Sequence, residues 1–360
     1  MAYTAVDKST AHFNTKIFSW TGSSNAVTGV GFQPDLVWFK NRSEGEEHNV
    51  FDVNRGIQKR LIIDTNQQQT ATDGLTAFGA DGFTVGSDNA VNKSSNDIVA
   101  WCWKGGGAVS ADNNTEGDSG YPDGNGEDST VSANTTAGIS IIKYMGSGGG
   151  GANVWRGHGL GANPGFQMFK KESGRDNHWV VRHKDIADNK AMFLSNNDAE
   201  TSTNTMWNQV AQNNTTYFIV GSADEVNEAS CPIVNYCFAE VKGFSKFGKY
   251  EGNGNADGAF VYTGFRPAIV IMKCSSNGGT PWLIWDDKRS TTTGNVTNYR
   301  LRPDTTDDED TSTADPIDLL SNGFKCRGTN DDSNKAGYTY IYAAFGQSMV
   351  GTNKVACTAR

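Results

Sequence analysis

The sequence predicts an all-β fold built as three tandem β-sandwich modules. Four sequence blocks recur three times in the same order, apolar residues alternate or cluster in short runs bounded by turn residues, and no long stretch has helical periodicity.

The first block is an aromatic residue followed two positions later by glycine: Trp20-Thr21-Gly22, Tyr144-Met145-Gly146 and Tyr250-Glu251-Gly252. The second is a glycine turn, a proline, an apolar run and lysine, seen as GFQPDLVWFK (31–40), GLGANPGFQMFKK (159–171) and GFRPAIVIMK (264–273). Proline cannot donate into a ladder, so Pro34, Pro164 and Pro267 are expected at equivalent strand starts. LVWFK and IVIMK are apolar without a break, which predicts strands covered on both faces. The third block runs from an apolar strand into charge: NVFDVNRG (49–56), WVVRHKD (179–185) and WLIWDDKRS (282–290). The fourth is a Gly-flanked aromatic strand and then a last aromatic strand, the latter being IVAWCWK (98–104), IVNYCFA (233–239) and YIYAAFG (340–346). Trp101 and Tyr236 hold matching places in it. Tyr338, Tyr340 and Tyr342 alternate with the period of a strand. Short helical turns are expected only near Met206–Val210 and Ile317–Leu320.

These blocks place an N-terminal arm at 1–13, modules at 14–107, 137–246 and 247–347, a linker at 108–136 and a tail at 348–360. The stretch 105–136 is rich in Gly, Ser, Asp and Asn and predicts a flexible acidic connection, or a segment ordered along a neighbour. Lys242 to Asn255 is short and holds Phe244, Phe247 and Tyr250. Modules two and three are therefore expected to pack together, with module one more independent. The arm lies outside the repeat and reads as an attachment element not needed for any core, or as an added edge strand of module one.

The net charge is −9, with 42 glycines against 8 prolines and 36% hydrophobic residues. An acidic chain repels phosphate backbones, which argues against nucleic acid as a partner. The first residues carry no secretory signal, and no apolar run is long enough to span a bilayer, so no membrane insertion is expected. Of six cysteines none forms a C-x-x-C pair; Cys102 and Cys237 lie at matching strand positions and read as reduced, buried hydrophobes.

No hydrolase, metalloprotease or phosphate-loop motif is present, and no cofactor, metal or catalytic residue is expected. The glycine run 146–151 reads as a hairpin loop. The acidic stretch 304–310 reads as a solvated loop, with Ca²⁺ binding as the weaker alternative. Asp52 with Arg55, and Asp286 with Arg289, repeat at matching positions; a glycosidase pair is conceivable, but a local ion pair fits a repeated module better. His158, His178 and His183 read as loop histidines rather than metal ligands. Trp282 and Trp285 read as core, whereas Trp155 and Trp207 are candidate glycan contacts through ring stacking.

The stretches MAYTAVDKSTAHFNTKIF, GVGFQPDLVWFKNRS, AFGADGFTVG, AWCWKGGG, HGLGANP, MWNQV, YCFAEVKGFSKFGKYEGNGNADGAFVYTGFRPA and IDLLSNGFK cover almost the whole chain. They resemble a family of tandem-repeat virion proteins of marine phages, particularly those of cyanobacteria. The resemblance implies lectin-type, concanavalin-like sandwiches in a non-enzymatic particle component: a tail-fibre or receptor-binding protein, or a capsid decoration. It implies other virion proteins as partners and virion localisation after assembly in the host cytoplasm. A homo-oligomer, preferably a trimer, is a further expectation, with a lectin that binds a host-surface glycan and a glycan depolymerase as the alternative readings.

Overall fold

The computed structural model describes residues 4–6, 8–19, 23–112, 129–148, 154–207, 214–290 and 295–347. It is all-β, with antiparallel sheets of which none closes into a barrel.

Module one contributes β1 (Phe13–Ser19), β2 (Asn25–Thr28), β3 (Leu36–Asn41), β4 (Asn49–Asp52), β5 (Lys59–Ile62), β6 (Thr70–Ala71), β7 (Leu75–Gly79), β8 (Gly82–Val85) and β9 (Asp97–Trp103). Its large sheet runs β1-β9-β3-β4-β5-β6 and its small sheet β2-β8-β7. Phe39 of the large sheet meets Phe83 of the small one edge to face, with centroids 5.1 Å apart, and Val37, Phe51, Val85 and Cys102 join the same core. The helical turn Asn89–Asn92 is capped by the Asp88 carboxylate.

Module two begins with β10 (Ser110–Asp112) and β11 (Ser129–Asn134). It continues through β12 (Ile139–Met145), β13 (Val154–Gly157), β14 (Pro164–Lys171), β15 (Val180–His183), β16 (Lys190–Phe193), β17 (Thr201–Ser202), β18 (Tyr217–Val220) and β19 (Pro232–Ala239). Its large sheet is β10-β11-β12-β19-β14-β15-β16-β17, and β13 pairs with β18. Module three has β20 (Ser245–Glu251), β21 (Phe260–Tyr262), β22 (Arg266–Cys274), β23 (Leu283–Asp286), β24 (Ile317–Leu320), β25 (Gly323–Cys326) and β26 (Thr339–Gln347). Its sheets are β20-β26-β22-β23 and β21-β25-β24.

The order β1-β9-β3-β4 is thus repeated as β12-β19-β14-β15 and β20-β26-β22-β23. Pro164 and Pro267 each precede a register shift in β14 and β22, while Pro34 stands just before β3. The three prolines stand at one repeat position, two residues before Leu36, Phe166 and Ile269. Registers also align Trp101 with Tyr236 and with Ala343, because these residues face Trp38, Met168 and Ile271.

One face of each large sheet packs on its own small sheet. The opposite faces of all three meet in a single core that includes Trp38, Trp101, Trp179, Tyr236, Trp282 and Phe345. Trp103, Phe238 and Phe345, at one repeat position, form a triangle with centroid separations of 6.1, 5.8 and 5.2 Å. The chain therefore closes into a pseudo-threefold ring of modules.

This arrangement corrects several expectations. Module one is no more independent than the others, since the continuous apolar strands that needed cover on both faces find it in the neighbouring modules. The arm is not dispensable for a core: Val6 and Phe13 are buried in the central one. Parts of the 108–136 segment form β10 and β11, with 113–128 outside the described residues. Ile317–Leu320 is a strand, not a helical turn. Residues 208–210 and the tail 348–360 lie outside the described residues.

Candidate functional site

The three junctions between modules carry the chain's most developed polar chemistry. In the third block, Asp52, His183 and Asp286 are equivalent, each ending its strand. Asp52 accepts from Arg55 Nε at 2.6 Å and from the Tyr236 hydroxyl of module two at 2.6 Å. Asp286 accepts from Arg289 Nε at 2.5 Å and from Trp101 Nε1 of module one at 2.9 Å. The Arg289 guanidinium lies 5.5 Å from the Trp101 ring centroid. At the remaining junction the aromatic donor is replaced by Ala343, and the carboxylate by His183. That histidine hydrogen-bonds the Tyr342 carbonyl at 3.2 Å instead. Burial would raise the Asp286 carboxyl, but Arg289 outweighs it and holds it below its ordinary value. Burial pushes His183 down to about 4, consistent with a neutral ring.

A second ring of contacts uses the residue that opens the third block. Trp179 Nε1 donates to Ile62 O at 2.6 Å, and Trp282 Nε1 to Phe193 O at 2.8 Å, each crossing to the preceding module. His48 holds the corresponding place in module one; its Nδ1 accepts from Trp38 Nε1 at 3.0 Å. The backbone N–H groups of these three residues are answered by Asp64 (2.7 Å), Ser195 (3.3 Å) and Asp304 (2.9 Å) at one repeat position.

Three buried lysines complete the set. Lys40, Lys170 and Lys273 follow the apolar run of the second block and share a register. Lys40 Nζ donates to Thr306 O of module three at 2.8 Å, and Lys273 Nζ to Asn197 O of module two at 3.3 Å. Lys170 Nζ donates to Asn177 O at 2.5 Å, and Asn177 N donates in turn to Asn66 O of module one at 3.0 Å. Burial lowers Lys40 and Lys273 to about 8, with Asp64 and Asp304 among the charges that oppose the fall. Ser195 supplies no such charge, and Lys170 falls further, to about 7. The same burial raises Asp64 and Asp304 to about 6.

The acidic stretch 304–310 is more than a solvated loop. Glu309 binds Arg289 at 2.8 Å and Arg42 of module one at 2.6 Å, clamping modules three and one. No group of three or more His, Cys, Asp or Glu residues able to hold a metal occurs among the described residues. His158 and His183 are buried rather than loop-exposed, and the five described cysteines are buried and free.

The proposed glycan contacts sit elsewhere than expected. Trp207 is fully buried, donates to Lys190 O at 3.0 Å and lies under the Arg182 guanidinium. Trp155 is 6% exposed and meets Tyr217 edge to face at 4.6 Å. Neither offers an open ring face for stacking. Trp282 and Trp285 are core, as expected. Among the described residues the exposed aromatics are Phe260 and Tyr262 on β21, which sequence reading missed; their i, i+2 spacing around Val261 was the available signal.

No curated protein and no solved structure matches the chain. A family model described as a domain of unknown function, DUF7483, matches residues 8–348. That span runs from before β1 through β26, so the family's unit is the whole ring rather than one repeat. The chain belongs to the DUF7483 family.

Proposed function

We propose that the chain is a non-enzymatic structural protein of a bacteriophage particle, a tail-fibre or host-adhesion component or a capsid decoration, carried on the virion. The observation that supports this best is the closed ring: one copy builds a threefold body around the Trp103–Phe238–Phe345 triangle. Its junctions spend their buried charges on holding modules together, which suits a rigid exterior part. The resemblance of long stretches to phage virion proteins points the same way, and makes other virion proteins its partners. Mass spectrometry of gradient-purified particles tests the reading. The protein is expected to co-sediment with infectious particles and to fit a three-lobed density by cryo-electron microscopy; recovery only in the soluble lysate would overturn it.

A second reading, contact with a host glycan through lectin-like modules, is favoured by one observation. Phe260 and Tyr262 are 48% and 60% exposed on one face of β21, beside the Lys325–Asp257 pair. Binding to a glycan array that disappears in Tyr262→Ala would support it.

A further inference from the structure

The three junctions share a backbone plan but differ in what fills them. In each, one edge strand of the repeated order (β12, β20 or β1) faces the turn after β4, β15 or β23 of the preceding module. At the first junction β11 lies along β12. There Asn54 donates to the carbonyls of Thr130 and Ile141 at 2.8 and 3.0 Å, and accepts from the Thr130 hydroxyl at 2.9 Å. At the junction of modules three and one the helical turn Ser9–Ala11 sits beside β1, leaving a gap of about 10 Å³ bordered by Thr10, Asn14, Ala268 and Lys288.

Among the described residues the junction of modules two and three is open. A cleft of about 750 Å³ lies between Lys249 of β20 and the module-two residues Gly165, Lys184 and Asp185. Gly165 and Asp185 are the repeat equivalents of Ala268 and Lys288, so this is the same place without its filling. The chain explains the vacancy. Only residues 240–244 join β19 to β20, too short a connection to lay a strand or turn along the edge. The edge itself is built for pairing. Among the described residues β20 bonds to β26 on one side alone, and the outward N–H of Phe247 donates to Glu240 Oε1 at 3.0 Å in place of a neighbouring strand. Glu240 in turn pairs with Lys184 at 3.3 Å and Lys246 at 3.2 Å, charges that discourage indiscriminate edge pairing.

We propose that this cleft is a docking site for one extended strand of another polypeptide, added antiparallel to β20 as β11 is added to β12. The chemistry of the occupant follows from β11, in which small polar Thr130 and Ser132 alternate with Val131 and Ala133. It also follows from Asp185. Asn54 donates to the incoming carbonyl at the first junction, whereas a carboxylate only accepts. Arg182 and Lys184 are paired with Asp188 and Glu240, which leaves Asp185 for the ligand. The partner strand therefore alternates small polar and small apolar residues and carries a basic side chain opposite Asp185. This inference stands apart from the particle reading, since it concerns which chain segment the cleft takes and not where the protein resides.

The test is selection of displayed random peptides about ten residues long against the intact chain, followed by affinity measurement on variants. Lys249 shares the outward register of Phe247, so Lys249→Pro removes an outward N–H and crowds the edge while sparing the β26 ladder. Enriched basic, alternating peptides are expected to lose about tenfold or more in affinity on Lys249→Pro. The surface change Asp185→Lys, which tests the site without altering a strand, is expected to weaken them comparably. Peptides that bind both variants as tightly as the parent, an absence of enriched peptides, or occupation of the edge by a second copy in a dimer that Lys249→Pro abolishes would each overturn the proposal.

Discussion

Tyr236 donates its hydroxyl to Asp52 across 2.6 Å, joining two modules through residues 184 positions apart in the chain. Trp101 donates its indole N–H to Asp286 across 2.9 Å one junction further round, 185 positions apart. The local Asp–Arg pairs of modules one and three thus double as acceptors for their neighbours.

Asp52→Ala is expected to destabilise the protein by about 3–5 kcal/mol, because Arg55 is left buried without its carboxylate. Asp286→Ala costs less, since Arg289 keeps Glu309 at 2.8 Å. Denaturant midpoints of the two variants, measured side by side, check the ranking; equal losses would show that Glu309 does not compensate.

Tyr236→Phe removes the cross-module donor to Asp52 and with it the acceptor of Arg55 Nη2 at 3.3 Å, and is expected to cost about 1.5–3 kcal/mol, the range for a hydrogen bond to a charged group. Urea unfolding at neutral pH reads it directly, and an unchanged midpoint would mean that Arg55 alone satisfies the carboxylate.

The all-β class, with short strands separated by turns, was legible in the sequence, because turn residues and apolar runs are local signals. The ring was not. LVWFK and IVIMK announce that both strand faces are covered but not by what, and Lys40 and Lys273 at their ends look like solvated termini. The cross-module partners of Asp52 and Asp286 sit about half a chain away, where no spacing rule reaches. Trp207 was a candidate contact because the stretch around it is mostly polar, whereas its ring fills module two beneath Arg182.

The arm gives a third expectation. Val6 is buried in the central core, so Val6→Ala should cost about 2 kcal/mol, and removing residues 1–12 should lower the melting temperature. A truncated protein that melts with the parent would contradict the placement of Val6.

The buried lysines set a pH dependence. Their folded values of about 7 to 8 lie below the roughly 10.4 of an unfolded chain. The unfolded state therefore binds more protons between those limits, and the lysines' contribution to stability rises with pH from about 7 toward 10. Unfolding midpoints at about pH 7 and pH 9.5 should show this rise, and Lys170→Met should reduce it. A Lys170→Met protein with an unaltered slope would remove Lys170 as a cause.

Hydrogen exchange on Phe345→Ala tests most directly whether the three modules are one cooperative body. The substitution lies in module three, but its ring meets Trp103 of module one at 5.8 Å and Phe238 of module two at 5.2 Å. The expected loss is about 3–5 kcal/mol, appearing equally in the slowest amides of β9, β19 and β26. Loss of protection confined to β20–β26, with β9 and β19 unchanged, would contradict the shared core.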